Sequence, residues 1–376
     1  MLEIKGIHNI AKVFTDNLEN EAVAQIQELC DQEFVQGSRI RIMPDAHAGA
    51  GCVIGTTMTI TDKVVPNLVG VDIGCGMETV RLRQKKIDFK QLDQVIYKHI
   101  PAGFDVRQKE HKYSAKIDLK RLFCHKHVNL ERARLSIGTL GGGNHFIEIN
   151  QDSQGGLYLV VHTGSRHLGK QVAEYYQNLA YEELTRKGKE KRKSGVIKIS
   201  KHLAYLQGES FQDYIHDMKI VQQYAVYNRQ AIVDEIISRM GFEVEDRFMT
   251  IHNYIDLPNM ILRKGAISAQ QGEKVLIPMN MRDGSLICRG KGNPDWNYSA
   301  PHGAGRIMSR RKAKEVISLT EYQNSMEGIY TTTVNKATLD ECALAYKPME
   351  EILQNIQETV EVIDLIRPLY NFKAAE

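Results

Sequence analysis

A chain of 376 residues, 42% apolar and 25% charged, has the balance of a soluble globular protein and the length for a substantial core. Its net charge of +3 excludes a generally basic nucleic-acid coat, so any basic surface has to be local. No run of about 18 apolar residues occurs, the opening MLEIKGIHNIAKVF lacks a secretory apolar stretch, and six cysteines without a C-x-x-C pair read as reduced thiols, so the expected setting is the cytoplasm, away from membranes.

In chain order, the spacing of Val23, Ile26 and Leu29 predicts a helix within 16–34. Residues 38–83, rich in Gly and β-branched side chains, predict a sheet region with tight turns. After a mixed stretch to about 135, GTLGGGNHFIEIN and GLYLVVHTGSRHLG read as two strand–loop units ahead of a helix over about 170–187. The charged run RKGKEKRKSGVIK (186–198) reads as a solvated loop or hairpin tip, with a nucleic-acid arm as the alternative. Phe211, Ile215, Met218 and Val221 mark a long amphipathic helix over 209–240. A second Gly-rich sheet region covers 248–306, and MEEILQNIQETVEVIDLI reads as a late helix ahead of Arg367-Pro368. Without repeats or regular βαβ alternation, the pattern is α+β in one large domain, 1–376.

Several segments carry candidate chemistry. GSRHLGKQ places Gly164, Gly169 and Lys170 as in a P-loop after an apolar strand, but Gln171 stands where a metal-binding hydroxyl belongs. In FCHKH, Cys124, His125 and His127 resemble a metal cluster, yet strand neighbours point to opposite faces and no partner pair lies near. His47, beside Asp45 in MPDAHAGAGCVIG, is placed at a pocket edge. In GVDIGCGME, Asp72 and Cys75 share a Gly-Cys-Gly turn that suits either a buried thiol or a metal ligand. His145, His162 and His252 each lie in or at the end of an apolar strand; singly they read as core residues, and jointly with Asp72 and Cys75 as a mixed N/O/S ligand set.

YSAPHGAGRIMSRRKAKE (298–315) sets His302 before Gly303, Ala304 and Gly305. One reading is a plain helix start with a basic face. The other is an anion-binding helix N-terminus, with Arg306 and Arg310 on one face and His302 free to attack phosphorus as a neutral nucleophile.

Taken together, MPDAHAGAG, VDIGCGM, GTLGGGNHFIEI, VVHTGSR, HNY, RKGAISA, GKGNPDW, HGAGR and RPLYNFK, in this order over nearly the whole chain, resemble the RtcB family of RNA-splicing ligases. The resemblance implies central β-sheets around a dinuclear metal cleft, with about 181–240 as a helical hairpin insertion. It implies a ligase, dependent on GTP and two Mn²⁺ ions, that joins RNA 3′-phosphate or 2′,3′-cyclic phosphate ends to 5′-hydroxyl ends in tRNA splicing or RNA repair. In the family the HGAGR histidine takes GMP from GTP and passes it to the RNA 3′-phosphate. Here that nucleophile is His302, and the metal ligands are Asp72, Cys75, His145, His162 and His252, with Cys75 shared by both ions. GTP is expected at Asn144, Glu148, His302, Gly303, Ala304, Gly305, Tyr346 and Lys373; phosphate or RNA is expected at Arg166, Lys264, Arg306 and Arg310. The expected protein is a monomer whose partners are GTP and RNA.

Three departures mark a divergent, shorter branch of repair type. IPMNMRDGSLICRGKGNPDW replaces the family's PGSMG lead, WNYSAP precedes the histidine, and DAHAGAG carries small residues where relatives have bulkier ones. The rival reading is a dinuclear metallophosphoesterase that opens cyclic ends without ligation and has no use for His302.

Overall fold

The β-branched and glycine-rich runs form two large sheets in the computed structural model, which describes residues 1–190 and 200–374. One has six strands, in the spatial order Leu2–Lys5, Ile10–Val13, Ile40–His47, Ile54–Thr59, Ile261–Lys264 and Asn253–Asp256. The other has seven: Val244–Ile251, Gly76–Leu82, Leu157–Thr163, Phe146–Gln151, Val360–Lys373, Gly284–Gly290 and Lys274–Asn280. Only Ile10–Val13 against Ile40–His47 pairs in parallel among the described strands.

The α-helices are α1 (Asn20–Cys30), α2 (Phe89–His99), α3 (Leu130–Ser136), α4 (Arg166–Glu190), α5 (Glu209–Met240), α6 (Arg310–Val316), α7 (Leu319–Ser325) and α8 (Met349–Asn355). The 209–240 helix has the predicted bounds, and Gly241 (φ 64°) closes it in a left-handed turn. Met218 and Val221 of α5 pack in a core shared with α1 and the six-stranded sheet, while Ile232 and Ile236 pack under the seven-stranded sheet. One helix thus ties both sheets to a common spine.

The late helix is a correction. Only Met349–Asn355 is helical, and Val360–Lys373 is a 14-residue strand between Gly284–Gly290 and Phe146–Gln151. Ile352 and Ile356 extend the helical spacing, but VEVIDLI is rich in β-branched residues and pairs with Gly284–Gly290, while the following RPLYNFK pairs with Phe146–Gln151, so tertiary pairing overrides local pattern. Residues 191–199, most of the charged run, lie outside the described residues. The helix expected at about 170 begins at Arg166.

Candidate active site

Antiparallel pairing brings four strand ends to one edge of the seven-stranded sheet. Gly76 faces Ile251 on one side and Thr163 on the other, and His162 faces Phe146. Because neighbours run in opposite directions, that edge receives the residues before Gly76 and Phe146, those after Ile251, and the end of Leu157–Thr163. They are Asp72 and Cys75, His145, His252 and His162.

Their ligand atoms converge. Cys75 Sγ lies 3.4 Å from His145 Nε2 and 3.3 Å from His162 Nε2. His145 Nε2 is 3.0 Å from Asp72 Oδ2, and His162 Nε2 is 3.4 Å from His252 Nε2. Two triplets, Asp72/Cys75/His145 and Cys75/His162/His252, each fall within 4.8 Å and share the thiol.

This set fits a cation. Nδ1 of His145 and of His162 meets a backbone carbonyl, Leu140 O at 2.9 Å and Asn144 O at 3.1 Å, and a carbonyl requires a donor. The protons are therefore assigned to Nδ1, so each Nε2 turns a lone pair towards sulfur, a carboxylate oxygen or another imidazole. Burial, then the neighbouring imidazoles, holds His162 and His252 well below the usual histidine value, so both are neutral. Burial would lift the Asp72 carboxyl, but a proton on His145 Nε2, in the place a bound cation would take, and Arg166 outweigh it and hold it below the usual range. Burial and Asp72 push the Cys75 thiol well up, a cost that a coordinated cation removes.

The strand ends are held from behind by α5. Arg229, fully buried, donates to Gly74 O (2.7 Å) and Thr163 O (2.9 Å), the residues flanking Cys75 and His162. Asn228 accepts from the amides of Gly138 and Thr139 and donates to Gly164 O at 2.9 Å. Gly164 leaves room for the carboxylate: a Cβ there would fall 2.2 Å from Asp72 Oδ1. Gly164→Ala therefore has to displace Asp72, and metal affinity is expected to fall by roughly 10–100-fold, measured by calorimetric titration of the folded variant with Mn²⁺.

His302 follows the short strand Ser299–Pro301 and is fixed by hydrogen bonds. Asp45 Oδ2 accepts from His302 Nδ1 at 2.6 Å, from the His302 amide at 3.0 Å and from the Gly303 amide at 3.2 Å. The imidazole lies against His252, with ring centroids 5.0 Å apart. Asp45 is fully buried. It was noted in the sequence only as the neighbour of His47, whose own Nδ1 faces Asp45 O at 3.0 Å on the same cavity wall. An acid inside the apolar strand IRIMPDAH was the available signal.

From His302 a cavity runs past Asn144, Phe146 and Glu148 to Tyr346 and Lys373. Its far end is organised by Glu341, which the sequence did not single out. Glu341 accepts from Lys373 Nζ (2.5 Å) and the Tyr346 hydroxyl (2.8 Å) and pairs with Arg310 and Arg306. Burial would raise its pKa, but Lys373 and Arg310 hold it at about 2, so it stays anionic. Glu148 is the opposite case: burial outweighs its bonds from Asn150 and Asn371 and lifts it to about 7.

The helix-start reading of HGAGR does not survive. Helix α6 begins at Arg310, capped by the Ser309 hydroxyl, whereas Arg306 sits in a β-bridge with Tyr346. The two arginines do not share a helix face; they meet at Glu341. Gly305, with φ at 74°, turns the chain between His302 and Arg306. Arg166 Nη1 lies 3.1 Å from His145 Nδ1, at the opposite end of the imidazole row. Lys264 directs its ammonium to Ala50 O, Cys52 O and Cys52 Sγ, at 3.1–3.2 Å, on the wall of a neighbouring cavity with Asp72 and His302.

Both doubtful motifs resolve as structural. Lys170 pairs with Glu174 on the surface of α4, and Gln171 accepts from the Asn129 amide. His125 binds Leu122 O, His127 stacks on Tyr175, and Cys124 is buried away from both cavities. The altered IPMNMRDGS segment forms the hairpin turn after Lys274–Asn280, and Pro278, Met279, Asn280 and Met281 line the cavity beside His302.

Fold and site together define a mixed helix-and-sheet protein whose Asp, Cys and His side chains are set for metal use. The family model described as tRNA-splicing ligase RtcB matches residues 25–129 and 115–374. RNA-splicing ligase RtcB1 of Escherichia coli (strain ATCC 25922) is 29% identical over 368 residues, covering 87% of this chain and 88% of the relative. RNA-splicing ligase RtcB of strain K12 gives the same figures. The tRNA-splicing ligase RtcB of Aeropyrum pernix is 28% identical over 406 residues, covering 83% of each. The chain belongs to the RtcB family.

Proposed function

We propose that this chain is a GTP- and Mn²⁺-dependent ligase, working as a cytoplasmic monomer, that joins RNA 3′-phosphate or 2′,3′-cyclic phosphate ends to 5′-hydroxyl ends. As a member of its family it is an RNA ligase. Among the described residues no helix is long and apolar enough to cross a membrane. The observation that carries the finer reading is the His302–Asp45 pair set against two ligand triplets that share Cys75. A hydrolase would use such a pair only as a general acid or base, so a GMP adduct on His302 separates the two readings.

Asp45 holds the proton on His302 Nδ1, which leaves the Nε2 lone pair free. Nε2 attacks the α-phosphorus of GTP, pyrophosphate leaves, and a phosphoramidate forms. Water first opens a cyclic end at its P–O2′ bond; an oxygen of the 3′-phosphate then displaces the imidazole, and the 5′-hydroxyl attacks the activated 3′-phosphorus, loses its proton and expels GMP. Asp72, Cys75, His145, His162 and His252 would hold Mn²⁺, which would supply charge neutralisation at the phosphate oxygens. Asn144 and the backbone of Gly303, Ala304 and Gly305 line the phosphate path beside His302. Arg306 and Arg310 would trade part of their hold on Glu341 for phosphate, and Arg166 and Lys264 would take the RNA phosphates.

Glu148, Tyr346 and Lys373 take the guanine. Guanine presents two N–H donors on one edge, which a carboxylate accepts side by side; adenine presents a ring-nitrogen acceptor there. Because the Glu148 pKa lies at about 7, protonation below that pH removes an acceptor. Two RNA strands, one ending in 3′-phosphate and one starting with 5′-hydroxyl, should be sealed with GTP and Mn²⁺. KM for GTP should rise as pH falls from 8 to 6 by roughly tenfold, the span of one unit below that pKa. Glu148→Gln should flatten that profile at a raised KM. Opening of a cyclic end with no sealed product would favour the phosphoesterase.

A further inference from the structure

The chain's positive charge is concentrated in two segments, the run 186–198, with seven Lys and Arg against one Glu, and residues 104–134. Residues 104–134 contain nine Lys and Arg against four Asp and Glu, an excess larger than the +3 of the whole chain. Lys109, Lys112, Lys116, Lys120, Arg121 and Lys126 are exposed, and none forms an ion pair among the described residues. Ordinary surfaces intersperse the two signs.

This segment is displayed rigidly although it is built largely of short 3-10 turns, Lys112–Lys116, Leu119–Arg121 and His125–His127. Asp217, fully buried on α5, accepts from the amides of Phe123 and Cys124 at 2.8 and 3.0 Å and from the Tyr176 hydroxyl at 2.8 Å. With the backbone anchored inward, the lysines point out and two aromatic rings stay uncovered. Phe104 is 78% exposed, and Phe123, 59% exposed, rests on His216 at 4.5 Å between centroids.

The segment is continuous with the reaction centre. Phe104, Arg132, Arg166 and Lys170 line a cleft whose floor includes Asp72 and His145. Arg132 Nη2 donates to Phe104 O at 2.7 Å, and Arg166 Nη2 to Gly103 O at 3.4 Å, so the Phe104 loop is tied to the ligand cluster. Beyond the cleft, His127 stacks on Tyr175 of α4 and Phe123 on His216 of α5, so the basic stretch follows the helix pair outward.

We propose that residues 104–126 form a docking track for the single-stranded RNA adjoining the end that is joined. Exposed cations without carboxylate partners meet the phosphates, and Phe104 and Phe123 offer faces on which bases of any sequence stack. The occupant's identity rests on the RNA ligase reading; the track itself is tested by binding alone.

The variant Lys109→Gln/Lys120→Gln/Arg121→Gln/Lys126→Gln and wild type are titrated with a labelled single-stranded RNA of about 20 nucleotides across a salt series. The slope of log K against log[salt] should fall by about 0.7 for each phosphate contact removed, with affinity at least about tenfold lower near 0.1 M salt. Phe104→Ala should weaken binding roughly tenfold while leaving the salt slope unchanged. Mn²⁺-dependent guanylylation of His302, which uses no RNA, should stay at the wild-type rate in the lysine variant and serves as its folding control. An unchanged slope and affinity in that variant overturns the track, as does a wild type that does not bind RNA. Absence of ligation with RNA binding and its salt slope intact would sink the ligase reading and spare the track.

Discussion

With α-labelled GTP and Mn²⁺, wild-type protein is expected to gain a covalent, acid-labile GMP adduct, and His302→Ala to gain none. Sealing should fall by at least about 10⁴-fold, the scale at which a nucleophile's removal leaves only residual binding effects. Asp45→Asn sharpens the test. An amide oxygen can still accept from the two backbone N–H groups at 3.0 and 3.2 Å, but it no longer compensates positive charge on the ring. The adduct should form about 10²–10⁴-fold more slowly, with GTP affinity nearly intact. An adduct surviving in His302→Ala would move the nucleophile elsewhere.

Cys75→Ala is expected to have the largest effect on metal content, because its sulfur belongs to both triplets. Wild-type protein loaded with Mn²⁺ and desalted should hold two ions per chain and Cys75→Ala close to none. His145→Ala and His252→Ala each break one triplet and spare the other, so each should keep about one ion. Elemental analysis on folded protein reads this directly. Equal losses from all three variants would mean one shared ion instead of two.

Much of this site could be read from the chain because its parts sit in short-range contexts. Each ligand histidine lies in or at the end of an apolar strand beside a small or polar residue, Asp72 and Cys75 lead into Gly76–Leu82, and strand ends of adjacent antiparallel strands must meet at an edge. Helix α5 was equally legible, from the spacing of its apolar residues. Partners distant in sequence were not. Asp45 and His302 are 257 residues apart, and nothing local in MPDAH or SAPHGAG announces their bond. Glu341 lies in LDECALAYK without periodicity, and its importance comes from three cations delivered by the HGAGR segment, α6 and the final strand. The misread late helix fails for the same reason: pairing of 360–366 with Gly284–Gly290 and of 367–373 with Phe146–Gln151 outweighs the helical spacing of Ile352 and Ile356.

That final strand has a consequence for assembly. Val360–Lys373 is the latest of the seven strands in sequence yet lies inside the sheet, between the four strands that carry the metal-type ligands and the hairpin leading towards His302. Until it docks, the two halves share no ladder across this sheet, and Glu341 lacks Lys373. A chain clipped near residue 357 therefore keeps the His302–Asp45 bonds and the contact of His302 with His252, but loses the ladder that joins the ligand strands to Gly284–Gly290 and the Lys373–Glu341 bond. The strand works as a keystone, and a peptide spanning 357–376 supplied separately should restore guanylylation to a chain ending at 356.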